Sequence, residues 1–331
     1  NAGQKCSACS LLLVERSVYE DKNFQDKLKD AATSMKVGSV WNPGNVVGPM
    51  ITNKNDKLLK ALELEKGESW LVPPRFLDKH KYVLAPTVKW GVRPGNYSFR
   101  TELFGPMLSV VCIENLQQGI NWVNSLDYGL TSGLQSLDEG EQKLWKDSIM
   151  AGNLYINRGI TGAIVNRQPF GGMKLSAFGG GVKAGGPNYC ACFVNIADKP
   201  GSTTDYTQSY VKAYEQEFAH ARDVNNLYGE QNAFRYLPLK NMVLRLFPGD
   251  NNEDAKMIAL AARICHTPLS ISFEPGDDRT AALASLGCPL KEEALAGFLK
   301  SMKNYERIRT CGADIPMEMY EEAARIDKYI A

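Results

Sequence analysis

The sequence predicts an α/β protein built as two successive units, and three observations carry that reading. Short apolar runs alternate with amphipathic stretches along the chain, the order expected when helices cover a sheet. The 331 residues are twice the usual domain length of about 150. A turn-rich stretch at 197–204 (ADKPGSTT) separates two such series.

In the first series, residues 10–19 open with an apolar run that suits a buried strand. Residues 21–35 carry apolar side chains at 24, 28, 31, 32 and 35, the spacing of an amphipathic helix, with Asp21 as its cap. A Pro/Gly/Asn stretch at 42–49 is loop, and 54–64 fits a second short helix. Strands are expected at 69–72, 82–88 and 108–113, a helix at 116–126, and a strand at 154–157 running into a glycine-rich loop.

In the second series, Tyr206, Tyr210, Tyr214 and Phe218 recur every four residues and give one face of a helix an aromatic stripe. Packing is the expected use of such a face. Strands at 242–247, 269–273 and 306–310 alternate with helices at 253–265, 292–302 and 317–329, the order of a Rossmann-like half. Its first βα turn (PGDNNED, 248–254) holds one glycine and three acids, and the next (EPGDD, 274–278) is acidic too. Carboxylates there would repel a pyrophosphate, so no dinucleotide site is expected in this half.

Composition narrows the function classes. Hydrophobic residues make up 44% and charged residues 23%, ordinary for a protein with a sizeable core. With 38 Lys and Arg against 37 Asp and Glu, the chain has no long-range field to draw in nucleic acid or an anionic membrane. Apolar runs such as 107–113 are too short to span a bilayer, and the opening NAGQK is not a signal peptide. Eight scattered cysteines form no disulfide framework, so reduced thiols and a cytoplasmic setting are expected. Cys6 and Cys9 form a C-x-x-C, but zinc would need a second pair, and His80, His220 and His266 stand apart; no metal is expected. If the protein is intracellular, the sequon at Asn96 is a chance match.

The chemistry concentrates in three segments. Gly3-Gln4-Lys5-Cys6-Ser7-Ala8 is the sharpest, although a cysteine beside a lysine reads, by itself, as a structural thiol before a nucleophile. Glu102-Leu103-Phe104-Gly105-Pro106 follows, and Glu102 alone would be a solvated loop carboxylate. The third segment runs from Pro169-Phe170-Gly171-Gly172 through Met173-Lys174 to Ser176. The G-x-G-x-x-A at 179–184 follows no strand and is discounted as a nucleotide loop.

In this order and at this spacing, the three segments resemble the aldehyde dehydrogenase superfamily. The likeness is to its L-glutamate γ-semialdehyde (1-pyrroline-5-carboxylate) dehydrogenase branch, through Gly3–Ala8, 161–172 (TGAIVNRQPFGG) and 183–189 (KAGGPNY), and it covers residues 3 to 195. More weakly, 205–331 is similar to the C-terminal region of the proline utilization A proteins, through 229–239 (GEQNAFRYLPL).

The resemblance implies an aldehyde dehydrogenase catalytic domain at 1–198, followed by a Rossmann-like α/β domain without dinucleotide fingerprint at 205–331. It implies NAD⁺-dependent oxidation of L-glutamate γ-semialdehyde to glutamate, a step of proline catabolism. Cys6 would attack the aldehyde, because a polarizable thiolate forms a thiohemiacetal and later a hydrolysable thioester, while its own N–H steadies the oxyanion. Glu102 would hold the nicotinamide ribose and Phe104 would pack beside the nicotinamide. Ser7, Gly162 and Ala163 would bind the substrate carboxylate, and Phe170 its aliphatic part.

Family members carry an NAD-binding domain, a deacylating Glu and an oxyanion Asn ahead of the cysteine, whereas five residues precede Cys6 here. The expectation is therefore a partial chain, inactive alone, whose parent is a homo-oligomer, with 192–195 as the nearest candidate for a dimerising strand. Two alternatives stand beside it: an aldehyde dehydrogenase of different specificity, and a non-catalytic structural module built around 205–331 in which Cys6 is buried.

Overall fold

A computed structural model of the chain describes residues 1–164, 167–177, 179–195, 206–277, 279–312 and 314–331. The fold is α/β and divides into two compact units, Asn1–Gly162 with Gly171–Ala177, and Ala163–Phe170 with Phe178–Ala331. The break expected at 197–204 lies outside the described residues.

The first unit begins with β1 (Leu11–Glu15), the single turn α1 (Arg16–Tyr19) and α2 (Lys22–Thr33). Asp21 caps α2 by accepting the Asn23 N–H, as its position in sequence requires. Next come α3 (Asp56–Ala61), shorter than 54–64 because Asn55 caps it by accepting the Leu58 N–H, and β2 (Ser69–Val72). The strand expected at 82–88 falls instead at β3 (Thr87–Val92). Pro86 offers no N–H to a ladder, so Leu84 before it forms only an isolated bridge with Phe76. The single turn α4 (Tyr97–Arg100), β4 (Met107–Ile113) and α5 (Leu116–Asn124) follow.

These strands form one sheet in the order β1-β4-β3-β2, parallel except for the edge pairing of β2 with β3. Val14, Val88 and Val110 share one buried cluster with Ala32 of α2. The rest of the unit is β5 (Tyr128–Gly129), β6 (Thr131–Leu134), α6 (Glu139–Ser148), β7 (Asn153–Ile156) and β8 (Met173–Lys174), with β6 parallel to β7 and β5 antiparallel to β8. The sequence pattern does not foretell α6, which buries only Trp145.

In the second unit, the 189–193 stretch is a 3₁₀ turn, so the strand expected at 192–195 does not form among the described residues. Then α7 (Tyr206–Ala213) passes into a π-type turn, Tyr214–Phe218. Its stripe packs in part: Tyr214 lies edge-on to His266 and Phe218 edge-on to Tyr236. The Rossmann-like series is β9 (Met242–Arg245), α8 (Asn252–Ile264), β10 (Leu269–Phe273), α9 (Thr280–Ala284), β11 (Leu290–Glu292), α10 (Leu295–Ser301), β12 (Arg307–Thr310) and α11 (Met317–Arg325). The sheet is parallel throughout in the order β11-β10-β9-β12. It carries one βα unit more than the pattern predicts, because α9 and β11 lie between the strand expected at 269–273 and the helix expected at 292–302. No helix among the described residues is long and apolar enough to cross a membrane.

Candidate active site

The cysteine segment is a tight turn. Ala8 N–H donates to the Lys5 carbonyl at 2.9 Å, which sets Cys6 near its apex with the residue exposed. The Cys6 N–H finds no acceptor among the described residues. Upstream, Ala2 is buried among Val47, Met50, Leu58, Leu84, Leu103 and Met107, which anchors the turn to the core. Gly3 is left-handed at φ 67, and a Cβ on it would stand 2.3 Å from the Gly105 carbonyl oxygen. Only glycine permits that approach. The cysteine turn and the Glu102–Pro106 loop, distant in sequence, therefore lie directly against each other.

The Glu102–Pro106 loop is pinned through its carbonyls. Leu103 O accepts from Asn55 Nδ2 at 2.7 Å, Phe104 O from Gln4 Nε2 at 3.2 Å, and Pro106 O from Thr87 N–H at 2.9 Å. Leu103 is buried, whereas its neighbours Glu102 and Phe104 are exposed. Phe104 is left-handed at φ 50, an unusual state for a bulky side chain. The Glu102 carboxylate accepts no hydrogen bond from the described residues.

Ser7 is buried, and its hydroxyl lies 2.9 Å from that of Thr161. This bond ties the loop leaving β7 to the cysteine turn. Beside Thr161, Gly162 is left-handed at φ 84, with no atom within 4 Å of where a Cβ would point. Ala163 and Phe170 belong to the second unit, where Phe170 exchanges both backbone hydrogen bonds with Ala184 at 3.0 and 3.1 Å. In the same unit, Gln168 Nε2 donates to Asn232 Oδ1 at 3.0 Å, and Arg167 lies 3.5 Å from Glu230. Val165 and Asn166 lie outside the described residues.

The Gly171–Ser176 stretch serves as scaffold. Gly152 approaches it so closely that a Cβ would stand 1.9 Å from the Gly171 carbonyl oxygen. Lys174 Nζ donates to the Asn124 and Leu126 carbonyls at the end of α5, at 2.9 and 2.7 Å. Ser176 Oγ accepts the Gly129 N–H at 3.1 Å.

The thiols differ in environment. Cys9 Sγ donates to the Leu11 carbonyl at 3.3 Å, and loss of hydration around the sulfur raises its pKa although part of the residue stays exposed. Burial, with Asp250 and Asp254 nearby, pushes Cys311 up to about 11. Among the described residues no group of His, Cys, Asp and Glu is placed to hold a metal.

In the second unit, the turn after β9 is occupied by the chain itself. Asp250 Oδ2 accepts the Phe247 N–H at 2.8 Å, and Arg279 donates to the Phe247 and Asp250 carbonyls at 2.9 and 2.6 Å while pairing with Asp277. The 179–184 glycine run is loop in its described residues, with Arg307 donating to the Gly180 carbonyl at 3.4 Å.

Two residues of the site have no role in the sequence reading. Gln4 was visible only as a letter between Gly3 and Cys6, and Thr161 only as the residue before Gly162. Their hydrogen bonds run to residues far along the chain, where no local spacing points.

Comparison with known proteins gives three findings. A family model described as "Aldehyde dehydrogenase family" matches residues 1–198. The chain is 33% identical over 190 residues to a 1-pyrroline-5-carboxylate dehydrogenase of Geobacillus sp. (strain WCH70), covering 57% of this chain and 36% of that protein. Among solved structures, it is similar to proline utilization A (PutA) from Corynebacterium freiburgense, with TM-score 0.79 and 35% identity over 99% of this chain and 33% of that one. It is also similar to a Thermus 1-pyrroline-5-carboxylate dehydrogenase with bound NAD, with TM-score 0.53 and 33% identity over 59% of this chain and 37% of that one. The chain thus spans 33 to 37% of the length of these relatives.

Proposed function

The chain belongs to the aldehyde dehydrogenase family, and from that membership we propose that it carries the cysteine-bearing part of an enzyme that oxidises L-glutamate γ-semialdehyde to L-glutamate with NAD⁺. Residues 1–198 serve as its catalytic domain and 205–331 as a non-catalytic α/β domain. One observation carries the reading most directly: Gly3 lies against Gly105, so the exposed thiol of Cys6 and the Glu102–Pro106 loop share one site.

Cys6, as thiolate, adds to the aldehyde carbon, and its unengaged N–H receives the negative charge that grows on the carbonyl oxygen. Bound NAD⁺ supplies the two-electron acceptor for the carbon-bound hydride. The thioester left on Cys6 is hydrolysed by water, releasing glutamate and restoring the thiol. The unpartnered Glu102 carboxylate fits a ribose diol, and the exposed Phe104 ring fits a flat nicotinamide. The rest of the cofactor's site is supplied by other parts of a longer polypeptide, as the one-third coverage of the relatives suggests. By the same argument the 331 residues alone do not turn over; that the active enzyme is a homo-oligomer rests on the family resemblance alone.

The substrate carboxylate is held by Gly162 and Ala163 through backbone N–H groups, since small residues leave room for an anion. Ser7 contributes through its hydroxyl pair with Thr161, and Phe170 covers the aliphatic chain. The test is substrate selectivity in a polypeptide of active length. Gly162→Val is expected to raise KM for the semialdehyde by about tenfold or more, while an uncharged aldehyde of the same length is affected less. Equal effects on both substrates would instead favour an aldehyde dehydrogenase of different specificity.

A further inference from the structure

Gln4 spans two segments with one side chain. Its Oε1 accepts the Ile51 N–H at 2.9 Å, and its Nε2 donates to the Phe104 carbonyl at 3.2 Å. Both ends of one amide are thus used, and the side chain has no freedom left to turn over. What it grips is unusual. Phe104 holds a left-handed backbone at φ 50 without the freedom of glycine, and such a state persists only where neighbours over-determine it. On one side Asn55 holds the Leu103 carbonyl, and on the other Thr87 holds the Pro106 carbonyl. The residue between, whose backbone is the strained one, is held by Gln4.

We infer that Gln4 is a positioning residue: its amide fixes the Phe104 backbone, and through it sets Glu102 and the Phe104 ring in register with the Cys6 turn. It couples the two halves of the site because it stands two residues before the thiol on one side and bonds the cofactor-facing loop on the other. This rests on the proposed use of Glu102 and Phe104 toward NAD⁺.

The diagnostic variant is Gln4→Glu, which keeps the shape and the acceptor for Ile51 N–H but turns the donor to Phe104 into a second acceptor. Gln4→Met, which removes both bonds, serves if the first does not fold. In the 331-residue chain, hydrogen exchange across 101–107 is expected to quicken about tenfold in Gln4→Glu, with 49–53 unchanged. In the active-length polypeptide, KM for NAD⁺ is expected to rise about tenfold while kcat changes less than about threefold. A variant with unchanged exchange at 101–107 and unchanged KM for NAD⁺, in a wild-type background that oxidises the semialdehyde, overturns the role of Gln4 alone. A wild-type polypeptide without that activity removes the underlying reading and this role with it.

Discussion

Cys6 differs from the partly buried thiols in what surrounds it, and that difference is measurable. Burial raises Cys112, Cys265, Cys288 and Cys311, and the Cys9 thiol, itself raised, donates a hydrogen bond to the Leu11 carbonyl. Held up at about 11, Cys311 carries about a hundredfold less thiolate at pH 8 than it would at its ordinary value of 9.0, and the thiolate is the species that alkylates. Iodoacetamide at pH 8 should therefore mark the exposed Cys6, Cys190 and Cys192 first and Cys311 last, with Cys311 catching up only as pH rises toward 11. Peptide mass mapping checks the order, and Cys311 labelling ahead of Cys6 would contradict it. The same residues show what could be read from sequence and what could not. Cys6 and Glu102 stand in motifs whose letters announce them. Ser7 reads as a substrate donor, yet it is buried and already shares its hydroxyl with Thr161, a partner 154 positions away. Long-range hydrogen bonds leave no trace in local spacing, and Gln4 escaped for the same reason.

Strands and helices with a clear period were legible, and the misplacements have local causes. Capping by Asp21 and Asn55 set helix starts close to the pattern, because a side chain that satisfies the first N–H groups is itself a sequence signal. Pro86 moved a strand, and Glu292, the first residue of the expected helix, ends β11 instead because β10 offered a ladder. Lys89 is the feature that no periodicity suggests. It sits on β3 with 1% of its side chain exposed, bonds Glu68 Oε2 at 2.8 Å and the Glu63 carbonyl at 2.6 Å, and lies over the Trp70 ring. Glu68 is equally buried, so removing either charge strands the other in a medium that cannot solvate it. Lys89→Met is expected to destabilise the chain by about 3–5 kcal/mol in urea unfolding, and Lys89→Met/Glu68→Leu by less than half of that. A double variant whose loss equals the sum of those of Lys89→Met and Glu68→Leu alone would show that the pair is not coupled.

Each unit carries one four-stranded sheet. In the first unit the strands carry loops that converge on the cysteine turn: β7 leads to Thr161 and Gly162, β4 follows the Glu102–Pro106 loop, and α3 pins that loop through Asn55. The second unit's parallel sheet has the strand arrangement of a dinucleotide-binding half, yet Arg279 and Asp250 take the turn where a pyrophosphate would rest. A strand order of this kind does not by itself imply the ligand that often accompanies it. Covalent capture of the aldehyde by one sulfur is the step on which the proposed reaction depends. In an active-length polypeptide given NAD⁺ and L-glutamate γ-semialdehyde, then quenched in acid during the first turnover, intact-mass and peptide mapping should find a γ-glutamyl adduct on Cys6. Cys6→Ala should show neither adduct nor NADH formation. Undiminished NADH formation by Cys6→Ala, or an adduct on a different cysteine, would contradict it.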